Sequence, residues 1–238
     1  MGRAFELRKG RKMKRWSAMS KIFTRIGKDI VMAIKEGGPD PETNSKLRAV
    51  IQNAKTANMP KENIERAIKK ASEKSSENFK EILLEGYAPH GIAILVEAAT
   101  DNNNRTVANI RSYFNKCDGS LATSGSVDFL FDHLCFFQIE DEGIDIEELE
   151  LELIDFGVIE LSKSEKEISI TARFEDFGSI QKELERRKLE ISSSELEREA
   201  KINKALPQVE RLKVERLINM IDEDEDVQNV YHDMKTND

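Results

Sequence analysis

Arg3, Arg8, Lys9, Arg11, Lys12, Lys14, Arg15, Lys21, Arg25 and Lys28 put ten cationic side chains and one acid, Glu6, into the first 28 residues of a 238-residue chain, with Phe5, Trp16 and Phe23 between them. The chemistry open to that mixture is polyanion binding. Ammonium and guanidinium groups neutralise phosphates and release their counterions, while an aromatic face stacks on an exposed base. Arginine adds a planar, two-point grip on phosphate that lysine lacks. Further along, Arg48, Lys55, Lys61, Lys69 and Lys70 are candidates for supporting contacts. The local sign opposes that of the whole molecule. The net charge is -8, yet over residues 1–75 Lys and Arg outnumber Asp and Glu by 19 to 8, and over residues 76–238 the acids lead by 37 to 18. A membrane-surface helix is a rival use for a basic segment, but apolar positions in this one are too sparse to bury much area in lipid. Nucleic acid, not membrane, is the expected partner.

No catalytic constellation accompanies the basic segment. The sequence has no phosphate-binding glycine loop, no HExxH and no GxSxG. His90, His133 and His232 stand far apart without ligand-spaced neighbours, and Cys117 and Cys135 form no CxxC pair. Neither acidic run, "DEGIDIEELELE" or "IDEDEDVQ", has the alternating D-x-D-x-D-G order that cages calcium, so they are read as solvated faces or as repulsion that keeps nucleic acid away. "DNNNR" at 101–105 is read as a helix cap and turn. No cofactor and no metal are expected, and the protein is expected to be a non-enzyme. With no apolar run of spanning length, no secretory signal and no disulfide framework, a reduced, cytoplasmic setting is the economical reading, and a monomer is expected.

The elements that must position the cations follow from periodicity. In "SKIFTRIGKDIVMAIKEGG" the residues Ile22, Phe23, Ile26, Ile30, Ala33 and Ile34 recur at helical steps, ended by Gly37, Gly38 and Pro39. Two more helices are predicted, over "NSKLRAVIQNAKTAN" and over "MPKENIERAIKKA". From residue 81 the period shortens. "EILLEGYAPHGIAILVEAAT" predicts two strands about a turn, "NRTVANIRSYFNKC" a helix and "SVDFLF" a strand. Residues 135–202 then read strand, helix, strand, strand, helix, strand, the ferredoxin-like βαββαβ order. A last helix and strand, over 209–222 and 227–234, are too short to stand alone. They complete the block that begins at residue 81. The expected class is therefore α+β: residues 1–80 form a basic arm and a three-helix domain, residues 81–133 with 207–238 a discontinuous α+β domain, and residues 134–206 a ferredoxin-like domain inserted into it.

Three long stretches, "KEGGPDPETNSKLRAVIQNAKTANMPKENIERAIKKA", "EGYAPHGIAILVEAATDNNNRTVANIRSYFNK" and "GSLATSGSVDFLF", resemble the YebC/PmpR family, and the resemblance covers essentially the whole chain. It implies the same three-domain layout. Members are commonly described as transcriptional regulators that bind DNA, while related ones, among them a mitochondrial activator of cytochrome oxidase subunit one synthesis, act on translation at the ribosome. Some bacterial members relieve stalling on proline-rich stretches. Family members usually open "GHSKW"; this chain opens "GRAFELRKGRKMKRW", with Phe5 where the early Trp would fall and Trp16 downstream. Residues and resemblance together lead to a non-enzymatic regulator of gene expression that binds nucleic acid through residues 3–28. Since no helix-turn-helix is visible, a ribosome-associated translation factor on ribosomal RNA is preferred, with a DNA-binding transcriptional regulator as the alternative.

Overall fold

A computed structural model of the chain describes residues 19–73, 78–141, 143–164 and 166–235. It divides into two compact units, one of Met1–Ser76 with His133–Glu197 and one of Glu77–Asp132 with Arg198–Asp238.

The first unit opens with α1 (Met19–Gly37), α2 (Ser45–Thr56) and α3 (Lys61–Ser72). The apolar stripe of α1 folds inward: Ile26, Ile30, Ala33 and Ile34 are buried, as are Leu47 and Ala54 of α2 and Ile64 of α3, the two helices that α1 packs against. Helix α1 stops where Gly38 turns to φ +83°, a left-handed conformation glycine adopts without a Cβ penalty. One side chain then joins two helices. Asn44 accepts from the Leu47 N–H at 3.0 Å to cap α2, and its amide donates to the Ala33 and Gly38 carbonyls at 2.7 and 2.8 Å.

The same unit continues as β4 (Phe131–Glu140, from His133 on), α5 (Ile146–Leu153), β5 (Val158–Lys163), β6 (Glu167–Arg173), α6 (Phe177–Arg186) and β7 (Ile191–Ala200, as far as Glu197). Its sheet runs β5-β6-β4-β7, with β6 antiparallel to both β4 and β5. This is the ferredoxin-like order expected from the sequence. Phe137, Ile139, Ile168 and Ile170 of the sheet pack with Leu149 and Leu153 of α5 and with Ile180 and Leu184 of α6.

The second unit holds a sheet ordered β3-β1-β2-β8, built from β1 (Lys80–Tyr87), β2 (Ala93–Thr100), β3 (Ser120–Leu121) and β8 (Val227–His232). Helices α4 (Asn103–Lys116) and α7 (Gln208–Asp222) share its core through Ile110, Phe114, Val214, Leu217 and Ile221 with Ile94 and Val96. A Cβ on Gly86 would lie 2.6 Å from the Phe114 ring, so glycine is what lets α4 approach β1. The pairing of β8 with β2 joins segments more than a hundred residues apart, and the α+β class with a ferredoxin-like insertion stands.

Two expectations are corrected. "SVDFLF" is not a strand: residues Asp128–Leu130 form a 3-10 turn, and Phe131 already belongs to β4. The buried Glu85 carboxylate accepts the N–H groups of Gly125, Val127 and Asp128 at 2.6, 2.6 and 3.0 Å, so these donors serve an anion and not a ladder. The run "IDEDEDVQ" is not simply a solvated face either. Asp224 and Asp226 are buried, Asp224 accepting from Asn109 and Tyr113, and Asp226 from Thr100, Thr106 and Arg105. Those bonds tie the start of α4 to the segment that feeds β8.

Candidate nucleic-acid interface

Arg3, Arg8, Lys9, Arg11, Lys12, Lys14, Arg15 and Trp16 lie outside the described residues. Lys21, Arg25 and Lys28 stand on one face of α1 at steps of four and three. Lys21 and Arg25 are half-buried and Lys28 is buried.

The cations of α2 and α3 fall into two groups. Arg48 is committed inside the protein. Its Nε and Nη2 donate to Glu185 of α6 at 2.9 and 3.1 Å, and its Nη1 donates to the Pro41 and Glu42 carbonyls at 2.7 and 3.0 Å. This two-point pair joins the helical bundle to the ferredoxin-like fold, leaving little donor capacity for a phosphate. Lys55, Lys61, Lys69 and Lys70 are exposed; Lys61 faces Glu65 at 3.6 Å, a surface pair worth little. Lys69 and Lys70 sit in the last turn of α3, and Arg66, exposed one turn earlier, extends the group. Sequence reading passed over Arg66, although the spacing to Lys69 and Lys70 was its signal.

The polar amides of α2 are also engaged. Asn53 exchanges hydrogen bonds with the backbone of Ser194 on β7, while Thr56 and Gln52 donate to the Ser192 carbonyl at 2.7 and 3.4 Å. These bonds give the exposed edge of β7 the partners a further strand would supply. The exposed cations of α2 and α3 are thus Lys55, Lys61, Arg66, Lys69 and Lys70, groups suited to phosphate.

Elsewhere among the described residues, the histidines and cysteines are engaged or buried. His90 lies 3.5 Å from Glu210, and His133 stacks on Phe174 with ring centroids 3.8 Å apart. Both cysteines are buried, and burial followed by the charge of Asp176 pushes the Cys135 thiol up to about 12, the wrong direction for a nucleophile. Among the described residues no group of three or more His, Cys, Asp or Glu could hold a metal ion, and no helix is long and apolar enough to cross a membrane. "DNNNR" is the cap expected of it: Asn102 accepts the Arg105 N–H at 3.2 Å, and Arg105 pairs with Asp101 and Asp226.

Known proteins match along the whole length. Residues 3–74 fit the family pattern described as the TACO1/YebC protein N-terminal domain, and residues 79–234 that described as the TACO1/YebC second and third domain. A relative from Flavobacterium johnsoniae is 68% identical over 235 residues, covering 99% of both chains, and one from Porphyromonas gingivalis is 57% identical, covering 99% of this chain and 98% of its own. Both carry the name "Probable transcriptional regulatory protein". The crystal structure of a conserved hypothetical protein from Aquifex aeolicus superposes with a TM-score of 0.74 at 35% identity, covering 92% of this chain and 90% of that one.

Proposed function

Because the chain belongs to the TACO1/YebC family, we propose that it is a non-enzymatic regulator of gene expression that binds nucleic acid through its basic N-terminal segment, with ribosomal RNA as the target. The observation that carries this reading is the density of cations and aromatic rings over residues 3–28 of an otherwise acidic chain. The bundle that follows that segment in sequence adds phosphate contacts from Lys55, Lys61, Lys69 and Lys70. Arg48, Gln52 and Asn53, whose side chains are the kind that read base edges, face α6 and β7. Folded RNA suits such a surface, since it offers dense phosphate together with splayed bases for Arg and Trp16.

The names of the relatives favour a second reading, regulation at promoter DNA. A transcription factor must prefer its site over bulk duplex by about 10³ or more. The two readings separate in one competition at physiological salt, with labelled promoter fragments and scrambled duplexes challenged by purified large ribosomal subunits. Little preference between the duplexes and displacement by ribosomes is expected. A promoter fragment held about a thousandfold more tightly than its scrambled control, and resistant to ribosomes, establishes the DNA reading instead.

A further inference from the structure

Two helices each carry an apolar pair on their solvent face. On α5 and the 3-10 turn Ile154–Phe156 that continues it these are Leu151 and Ile154, 73% and 60% exposed; on α7 they are Val209 and Leu212, 72% and 58% exposed. Each pair is spaced i, i+3, which keeps it on one side of its helix. Single exposed apolar residues are ordinary, but here the flanking charges are of opposite sign. Glu147 and Glu148 lie one turn before Leu151, whereas Lys213 and Arg216 follow Leu212. All four are exposed, and none has an ion-pair partner among the described residues.

We propose that α5 of one copy of this chain docks antiparallel on α7 of a second copy. Setting Leu151 against Leu212 places Ile154 against Val209 and Glu147 against Arg216 in the same register, because the steps along the two helices are equal and opposite. Lys213 comes opposite Glu150, Glu148 comes opposite Glu215, whose charge Arg211 already pairs at 2.8 Å, and Asp155 falls at the first turn of α7, where the positive end of the helix dipole favours an anion. A parallel arrangement with the apolar pairs in contact matches only Asp155 with Lys213. The two surfaces differ, so the contact is heterologous: each added copy leaves one α5 and one α7 open, and association continues to a ring or a chain. One helix pair is a small interface, so self-association is weak, needs high protein concentration, and fades with salt. It replaces the monomer expected from the sequence.

Sedimentation velocity of the full chain at low salt tests this. Two variants block one surface each, Leu151→Lys with Ile154→Lys on α5, and Val209→Glu with Leu212→Glu on α7. The unaltered chain is expected to sediment faster as concentration rises, and either variant alone to remain a single copy with unchanged thermal unfolding. Mixed in equal amounts, the variants should form a two-copy species and nothing larger, since only one intact α5 and α7 face each other. Arg216→Glu should weaken association about tenfold, and adding Glu147→Lys to it should restore it. A single-copy species at every concentration, association surviving either blocking variant, or a mixture that stays single-copy overturns the proposal. So does association that is lost on neutralising Arg11, Lys12, Lys14 and Arg15 but is indifferent to the α7 variant, for then the basic segment and not α7 occupies α5.

Discussion

Single side chains here divide into those that grip the fold and those left for a partner. Glu85 belongs to the first kind. Burial alone would raise its carboxyl, yet the N–H groups of Val127, Gly125 and Asp128 together hold it below the ordinary carboxylate value. A folded-state value below the unfolded one means that the stabilisation is present in full above the unfolded value of about 4.3 and is lost as pH falls through the folded value. Glu85→Gln should therefore cost about 1 to 3 kcal/mol at neutral pH and flatten the acid limb of the stability curve, measured by urea unfolding between neutral pH and acid. An unchanged acid limb would show that the carboxylate is not what holds the loop over 125–128. Glu183, which the guanidinium of Arg186 and then that of Arg187 hold at about 2, contributes to the same acid limb and is the control to vary in parallel. Among the side chains proposed to meet RNA, Trp16→Ala is expected to weaken binding by about 1 to 3 kcal/mol without changing its salt slope. Changing Arg11, Lys12, Lys14 and Arg15 together to Ala should flatten that slope by about 3 to 4. Fluorescence anisotropy over a salt series reads both, and a Trp16→Ala chain that loses thermal stability but keeps its affinity would make Trp16 a packing residue.

At the scale of elements, the joints are made by short polar side chains. Asn44 satisfies the Leu47 N–H, a donor that the start of α2 leaves without an intrahelical partner, and donates to two carbonyls at the end of α1 and just beyond it. Asn44→Ala should cost about 2 to 3 kcal/mol, more than the loss of a cap alone, with a fall in thermal midpoint as the readout. Arg48 makes the second joint. Arg48→Ala should lower stability through the lost pair with Glu185 while leaving RNA affinity and its salt slope as they were. A slope flattened by about one unit in that variant would instead put Arg48 on a phosphate. Asn53 and Thr56 make the third joint by occupying the edge of β7.

At the scale of the whole chain, charge separation and fold are distinct matters. If about five phosphates are neutralised, log affinity should fall against log salt with a slope of about -3.5 on single strands and about -4.5 on duplex DNA. A slope near zero would mean that binding is not electrostatic. Deleting the first 75 residues is a poor way to locate that binding. It removes α2 from β7 and Arg48 from Glu185, so lost affinity would be mixed with a disturbed sheet edge. Substitutions within residues 3–16 avoid that ambiguity.

What the sequence determined by itself was whatever depends on period, composition and charge. The helical stripe of Ile26, Ile30, Ala33 and Ile34, the strand-helix order of β4 to β7, and the basic head on an acidic chain are all local properties, legible without a partner. Tertiary structure decided the rest, because it turned on which distant group arrives beside a given side chain. Arg48 has the composition of a phosphate contact until Glu185 comes within 2.9 Å of it. Asp224 and Asp226 look solvated until Asn109, Tyr113, Thr106 and Arg105 enclose them. "SVDFLF" has the apolar content of a strand, but Glu85, some forty residues earlier in the chain, takes its backbone donors. A hydrogen-bonding group settles on the partner that removes it from water at least cost, and no window of neighbouring sequence contains that partner.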